Sequence, residues 1–149
     1  MSLSALLEQT KQQTLSYYEL PEEALHKTYG EGKWNIRQIL VHLADAESVL
    51  YGRIRRVISE PRQVIWAFQQ DAWAENLQYE QYPLALSKNV YAAVRDNIIY
   101  LTEKYYLSHG TKEFVHSETG VRTLKDEFDK VAHHNLNHLR QIEVALKRA

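Results

Sequence analysis

The sequence predicts an all-α protein, a four-helix up-down bundle with long crossover connections. Apolar residues recur at the three- and four-residue spacing of helices along most of the 149-residue chain. Three prolines and five glycines are few, and apart from Gly52 they fall between the long periodic runs. No convincing alternation of apolar and polar residues indicates a strand. Because one hydrophobic core can serve a chain of this length, we expect residues 1–149 to form a single domain.

Two long helices are predicted in the first part of the chain. Apolar residues repeat at helical spacing over residues 3–18. Pro21 begins a short further turn, because proline suits the first position of a helix. Asn35 is suited to cap the second long helix, and Trp34 precedes it at the position of a hydrophobic staple. The apolar stripe of this helix runs through residues 36–57.

The segment 59–83 is the least regular part of the sequence. Its five aromatic residues are too many for a solvated linker: Trp66, Phe68, Trp73, Tyr79 and Tyr82. We therefore expect an ordered crossover that packs on the bundle, with a helical turn near residues 72–77. A long connection of this kind is often functional. The third long helix follows over residues 84–107.

A second connector covers residues 111–122, with His116 and Gly120 in a predicted turn. Thr123 then begins the fourth long helix. Asp126 lies three residues after Thr123, which is the spacing of a capping box, in which each side chain bonds the other residue's backbone N–H. The four predicted helices place a site between helices of the bundle.

The composition excludes several classes of protein. The net charge is −1 with histidines neutral, so the basic excess of nucleic-acid binders is missing and no nucleic acid is expected as a partner. The chain contains no cysteine, which excludes disulfides and thiolate metal sites and favours a cytoplasmic location. Residues 1–10 lack the pattern of a signal peptide. No apolar run approaches ~18 residues, so no membrane span is expected.

Two histidines in the fourth predicted helix are the strongest functional signal. His134 and His138 lie four residues apart, so a helix presents both on one face, with about 6 Å between their Cβ atoms. This spacing allows two imidazoles to bind one metal ion, and His42 in the second helix is the best candidate for a third ligand. Two other interpretations stay open, namely hydrogen-bonded core histidines and a helix turned so that both rings face solvent. The zinc-protease motif does not match, because Asn135 stands where it needs glutamate.

Two parts of the sequence resemble the DinB-like superfamily of helical-bundle proteins. Residues 33–47, KWNIRQILVHLADAE, resemble its opening signature, a Gly-Lys-Trp-Ser-type start that leads to a His-Leu-x-Asp turn. Residues 120–124, GVRTL, and residues 134–142, HNLNHLRQI, resemble its closing motif. The resemblance covers nearly the whole chain in the right order. One departure is Asn35 where serine is usual, which affects only the helix cap.

The resemblance implies a four-helix bundle, commonly dimeric, in which three histidines hold a divalent metal ion. By motif position these ligands are His42, His134 and His138, and zinc or nickel is the metal assigned to family members. Some members act as transferases with low-molecular-weight thiols such as bacillithiol or mycothiol. We therefore expect a homodimer with a small-molecule substrate. Since the chain has no cysteine, any reacting thiol must be a cosubstrate.

Three functions are compatible with such a site. Three neutral imidazoles leave the cation its charge and at least one open position. A thiol at that position would be deprotonated, which gives a thiol S-transferase acting on small electrophiles, our first hypothesis. A water there would yield a metal-bound hydroxide, which gives a hydrolase. The third alternative is a non-catalytic metal-binding or dimerisation module.

Three further residues are candidates for holding the ligand rings in place. Ligating histidines usually donate their second N–H to a carboxylate or carbonyl. Asp45 and Glu47 follow His42 closely in sequence, and Gln141 follows His138, so each is a candidate for this role. The alternative is that these side chains lie on solvated helix faces. His133 projects about 100° away from its neighbour and is expected in solvent or beside a ligand.

Cationic residues near the end of the second helix have two interpretations. Arg53, Arg55, Arg56 and Arg62 either bind an anionic cosubstrate or form a solvated helix end favoured by the helix dipole. His116 is expected near the surface, and it is the connector residue that would reach the pocket if the connector folded over the bundle.

Overall fold

The computed structural model describes residues 1–60 and 62–148. Within these residues it contains six helices and three strands. In chain order they are α1 (Leu3–Tyr17), α2 (Glu22–Leu25), α3 (Ile36–Ser59), β1 (Val64–Ile65), α4 (Gln70–Asn76), α5 (Leu84–His109), β2 (Glu113–His116), β3 (Gly120–Thr123) and α6 (Leu124–Lys147). Among these helices, none combines the length and apolar character that crossing a membrane requires.

The four long helices α1, α3, α5 and α6 form a bundle, which confirms the predicted fold class. Helices α1 and α3 each pack mainly against α5 and α6. The two predicted caps are present. Asn35 accepts a hydrogen bond from the backbone N–H of Gln38 at the start of α3, and Thr123 accepts one from Asp126 at the start of α6. Both form complete capping boxes, so the ends of the two helices that carry the histidines are fixed locally.

A three-stranded sheet corrects the expectation that the chain lacks strands. The order is β1-β2-β3, with β1 parallel to β2 and β2 antiparallel to β3. Phe114 and His116 of β2 point inward and alternate with exposed neighbours, but four residues are too few for this pattern to stand out from the sequence. Gly120 follows the turn with a φ of 81°, a conformation that suits glycine. The sheet joins the crossover after α3 to the connector before α6.

A buried polar layer fixes how the long helices face one another. Arg95 of α5 is fully buried and donates to both carboxylate oxygens of Glu47 on α3, at 2.5 and 2.9 Å. The same guanidinium donates to Asn135 of α6 and to Thr10 of α1. One side chain therefore connects all four long helices. Because Asn135 is next to His134, this layer also sets the rotation of α6 that directs His134.

This layer lies between the two largest apolar clusters of the core. On α3, Leu43 belongs to one cluster and Leu50 to the other, with Glu47 between them in sequence. On α5, Tyr91 and Ile98 are divided in the same way. Burial of such side chains contributes about 25 cal/mol per Å² of apolar surface, but it is not directional. The hydrogen bonds of the polar layer are directional, so they fix the rotation of each helix, which apolar contacts alone do not determine.

Candidate metal centre

Three histidines from two helices converge at one point in the bundle. His42 on α3 faces His134 and His138, which lie one turn apart on α6. The Nε2 atom of His134 is 2.9 Å from Nε2 of His42 and 3.2 Å from Nε2 of His138. One ring nitrogen from each residue lies within 4.8 Å of the other two. The structure therefore brings together all three residues that the sequence indicated as metal ligands.

The separation of these nitrogens suits a common metal ion. Two imidazole nitrogens bound at about 2.0–2.1 Å, with about 90–109° between the bonds, lie about 2.9–3.4 Å apart. The measured Nε2 separations of 2.9 and 3.2 Å fall in this range. Three nitrogens on one side of an ion would leave its other side open to a substrate.

Gln141 fixes the proton of one ring. Its Oε1 atom lies 2.8 Å from Nδ1 of His138. Since an amide oxygen only accepts hydrogen bonds, Nδ1 of His138 carries the proton and Nε2 keeps its lone pair. This is the tautomer that a metal ligand requires, held by the kind of partner that ligating histidines usually have.

Burial keeps the three rings neutral. Desolvation first, and the other two histidines second, lower the pKa of His42 to about 2. Desolvation, with His138 as the next cause, lowers the pKa of His134 to about 3. Burial also lowers the pKa of His138, against the opposing effect of its hydrogen bond with Gln141. Neutral imidazoles offer lone pairs to a cation, so the donor set is in its binding form at neutral pH.

His42 is costly to bury without a ligand. Its Nδ1 atom has no hydrogen-bond partner within residues 1–60 and 62–148. Its Nε2 atom faces another histidine nitrogen. Each imidazole nitrogen either donates one hydrogen bond or accepts one. Three Nε2 atoms that meet at one point therefore cannot all be paired with each other. A divalent cation at this point would satisfy all three, so the residues present fit such an ion.

Aromatic rings pack against His42. Phe68 stacks on it with 5.7 Å between ring centroids and 6° between the planes, and Trp34 lies 5.0 Å away. Trp73 packs edge-on against Phe68 at 4.7 Å. Phe68 and Trp73 belong to the crossover, so the prediction that it packs on the bundle is confirmed. Trp66 of the same segment is 77% exposed and does not follow this pattern.

An open cavity of about 420 Å³ connects His134 and His138 with solvent. His134, His138 and Gln141 form part of its wall, and Lys33 and Asp71 form another part. The volume is in the range of small-molecule sites in proteins. The mixture of imidazole, amide and charged side chains suits a polar ligand.

Asp45 and Glu47 do not hold the histidine rings, which corrects one expectation. Asp45 accepts a hydrogen bond of 2.5 Å from the hydroxyl group of Tyr79, and burial raises the pKa of its carboxyl. Glu47 is bound to Arg95 in the polar layer. Glu47 lies five residues after His42, about 140° around the helix, so its side chain points to a different neighbour. Of the three candidate supporting residues, Gln141 alone contacts a ring of the cluster.

The remaining candidates do not contact the three histidine rings. His116 is buried and accepts hydrogen bonds from the backbone N–H groups of Glu118 and Thr119, at 3.1 and 3.2 Å. It therefore stabilises the β2–β3 turn. The sequence had suggested a position near the surface, and this expectation is wrong. His133 is exposed, in agreement with one of its two expected positions. Arg53 is buried.

Sequence reasoning missed three residues beside the cluster. Phe68 stacks on a histidine, Asp71 lines the open cavity, and Lys130 lines a second cavity together with His134. Lys130 lies four residues before His134, so helical spacing could have identified it. Phe68 and Asp71 come from the crossover, whose path over the bundle has no local sequence signal.

The fold and the site together define a four-helix bundle with a three-histidine cluster between two of its long helices. The sequence profile of the DinB superfamily matches residues 6–142. The chain belongs to the DinB superfamily, which confirms the resemblance seen in its two motifs.

Individual relatives agree with this assignment. A protein of Oceanobacillus iheyensis, provisionally named a metal-dependent hydrolase, is 30% identical over 128 residues, which cover 85% of this chain and 73% of that protein. A protein of Halalkalibacterium halodurans with the same provisional name is 26% identical over 129 residues, covering 87% and 75%.

A solved structure shows the same fold. YfiT from Bacillus subtilis, described provisionally as a metal-dependent hydrolase with an unusual four-helix bundle topology, superposes with a TM-score of 0.86. It is 21% identical in sequence and covers 95% of this chain and 83% of its own.

Proposed function

We propose that this protein is a metal-dependent enzyme acting on a small molecule, with His42, His134 and His138 as ligands of one divalent cation. The observation that carries the proposal is the convergence of three neutral imidazoles beside an open cavity. Membership of the DinB superfamily and the names of the relatives support it. Zinc and nickel are the expected metals, since imidazole ligands suit both.

The reaction proposed first is transfer of a low-molecular-weight thiol to a small electrophile. His42, His134 and His138 would hold the divalent cation, which would lower the pKa of a bound thiol enough for the thiol to be deprotonated at neutral pH. Asp45 is bound to Tyr79 and Glu47 to Arg95, so neither carboxylate is held against the histidine rings. A thiol that lost its proton on binding the cation would need neither of them as a base. In the transfer a carbon–sulfur bond forms, the bond from carbon to the leaving group breaks, and the thiol proton passes to solvent.

The residues of this chain have defined roles in the proposal. Gln141 keeps the proton of His138 on Nδ1 and so keeps Nε2 available. Phe68 and Trp34 pack against His42, which is fully buried, and so help to exclude water from this ring. The open cavity beside His134 is then the route by which both reactants approach.

Hydrolysis is the second candidate reaction, and one residue favours it. Asp71 is exposed and lines the same cavity as His134 and His138, where a carboxylate could accept a proton from an attacking water. The provisional names of the relatives also indicate hydrolysis.

Metal analysis tests the ligand assignment. Protein purified without an affinity tag or chelating resin should hold about one equivalent of metal, measured by inductively coupled plasma mass spectrometry. His42→Ala and His134→Ala should each lose it, because two imidazoles hold a cation poorly. His133→Ala is the matched control, since this exposed histidine lies on the same helix, and it should keep its metal. Full occupancy in His42→Ala would refute the assignment.

Activity assays separate the two reactions. The metal-loaded protein is given a cysteine-derived thiol with 1-chloro-2,4-dinitrobenzene, and separately p-nitrophenyl acetate without thiol. Thiol-dependent release of chloride, lost in His134→Ala, supports transfer. Ester hydrolysis that falls in both His134→Ala and Asp71→Asn, with no turnover of the thiol, supports hydrolysis and contradicts transfer.

A further inference from the structure

A second, smaller cavity adjoins the histidine cluster on another side of His134. Its volume is about 140 Å³, and Arg53 and Lys130 contribute its charged side chains. Phe68, which stacks on His42, also lines it. His134 and Gln70 line both this cavity and the larger one, so the two spaces meet at a candidate metal ligand.

The charges around this small cavity do not balance. Arg53 is 6% exposed, and its Nη2 donates to the backbone carbonyl of Trp66 at 2.8 Å. Its Nη1 is 3.8 Å from Oε2 of Glu127, too far for a hydrogen bond. Lys130 is half-buried and has neither an ion pair nor a hydrogen bond with the described residues. Two cations therefore face one carboxylate.

The nearby His116 does not change this balance. Burial first, and the charges of Arg53 and Lys130 next, lower the pKa of His116, so its ring is neutral at pH near 7. Burial also lowers the pKa of Lys130; Glu127 opposes this shift, and Arg53 and Arg122 add to it. Within the described residues the cavity therefore keeps an excess of about one positive charge.

We propose that this cavity is a subsite for a carboxylate group of the substrate, whose reacting end faces the three histidines. This deepens the proposed function and rests on it for the identity of the reacting end. One negative charge matches the excess. The two oxygens of a carboxylate match the two unused donors, Nη1 of Arg53 and the ammonium of Lys130. A space of about 140 Å³ admits the end of a small molecule, while the larger cavity holds the remainder.

Binding of a simple anion tests the subsite without any catalysis. Metal-free protein is titrated with acetate at constant ionic strength in chloride, followed by ¹⁵N and ¹³C nuclear magnetic resonance. Acetamide, which has the same shape and no charge, is the ligand control. Acetate should shift the signals of Lys130, Phe68 and Gln70 saturably, and acetamide should not. Because the cation is removed, acetate cannot act as a metal ligand.

Two substitutions on the same helix complete the test. Lys130→Met should weaken acetate binding at least about tenfold, since one charge-assisted hydrogen bond is lost. Lys125→Met is the matched control, because Lys125 is 58% exposed and pairs with Asp129 on the outside of α6. It should bind acetate as the wild type does. Equal binding by Lys130→Met and wild type, or equal shifts with acetamide, overturns the proposal.

The outcome is independent of the proposed function. If the same preparation takes up no divalent metal but binds acetate through Lys130, the enzyme proposal fails and the carboxylate subsite stands. If metal binds to the histidines and acetate causes no saturable shift in the metal-free protein, the subsite fails and the metal centre stands.

Discussion

Acid should destabilise the metal-free protein through its buried histidines. In the unfolded chain each imidazole takes up a proton near pH 6.5. In the folded chain burial lowers the pKa of His42 to about 2 and that of His134 to about 3. Below about pH 6.5 the unfolded state therefore binds more protons than the folded state. The free energy of unfolding should fall as the pH drops from about 6.5 towards about 3.

The size of this effect follows from the two lowered pKa values. One ring that is neutral when folded and protonated when unfolded contributes about 1.4 kcal/mol per pH unit within that window. Between about pH 7 and pH 5 this amounts to ~2 kcal/mol per ring, and ~4 kcal/mol for His42 and His134 together. That is a large share of the roughly 5–15 kcal/mol that stabilises a typical domain.

Urea unfolding of chelator-treated protein at about pH 7 and about pH 5, followed by circular dichroism, measures the loss. His42→Leu removes one of the two rings and should reduce the loss by ~2 kcal/mol. His133→Gln changes an exposed histidine on α6 and should leave the wild-type loss unchanged. If His42→Leu loses as much stability between the two pH values as the wild type does, the reasoning is refuted.

Three further substitutions test the surroundings of the site. Gln141→Leu removes the acceptor at Nδ1 of His138 and should weaken metal affinity about 10–100-fold in competition with a chromophoric chelator; unchanged affinity would contradict the role of Gln141. Arg95→Met leaves Glu47 buried without its partner and should lower the free energy of unfolding by about 3–5 kcal/mol in urea, and a loss below about 1 kcal/mol would contradict this. Thr123→Ala removes the cap of α6 and should cost about 1 kcal/mol with metal content unchanged; loss of metal would show that the cap also positions the site.

The sequence predicted the parts of the fold that depend on local patterns. Helical periodicity identified the long helices, and the capping residues Asn35 and Thr123 identified the starts of α3 and α6. The histidines of α6 could be found because a helix always places residues four apart on one face. His42 was a candidate because it lies in another helix with an apolar stripe, and the family motif then supported it, since no local rule relates residues that are 92 positions apart.

The sequence could not predict contacts that depend on the path of the connections. Asp45 follows His42 by three residues and was a reasonable partner for it, yet it bonds Tyr79, 34 residues away. The parallel pairing of β1 with β2 and the stacking of Phe68 on His42 also depend on how residues 62–83 cross the bundle. The metal's identity, the homodimer and the cytoplasmic location stay predictions from resemblance and composition.

The histidine cluster should lower the stability of the metal-free protein and raise that of the metal-bound protein. Measurements with and without metal can separate these two effects. His42 buries an Nδ1 atom with no partner in the described residues, and an unsatisfied buried polar group costs about 1–3 kcal/mol. Leucine is apolar and of similar size, so metal-free His42→Leu should be at least as stable as the metal-free wild type near pH 7. Excess zinc should reverse the order, because a cation that binds the folded state stabilises it. Urea midpoints measured with chelator and with zinc test this reversal. If His42→Leu is at least as stable as the wild type with zinc as well, His42 does not hold the metal.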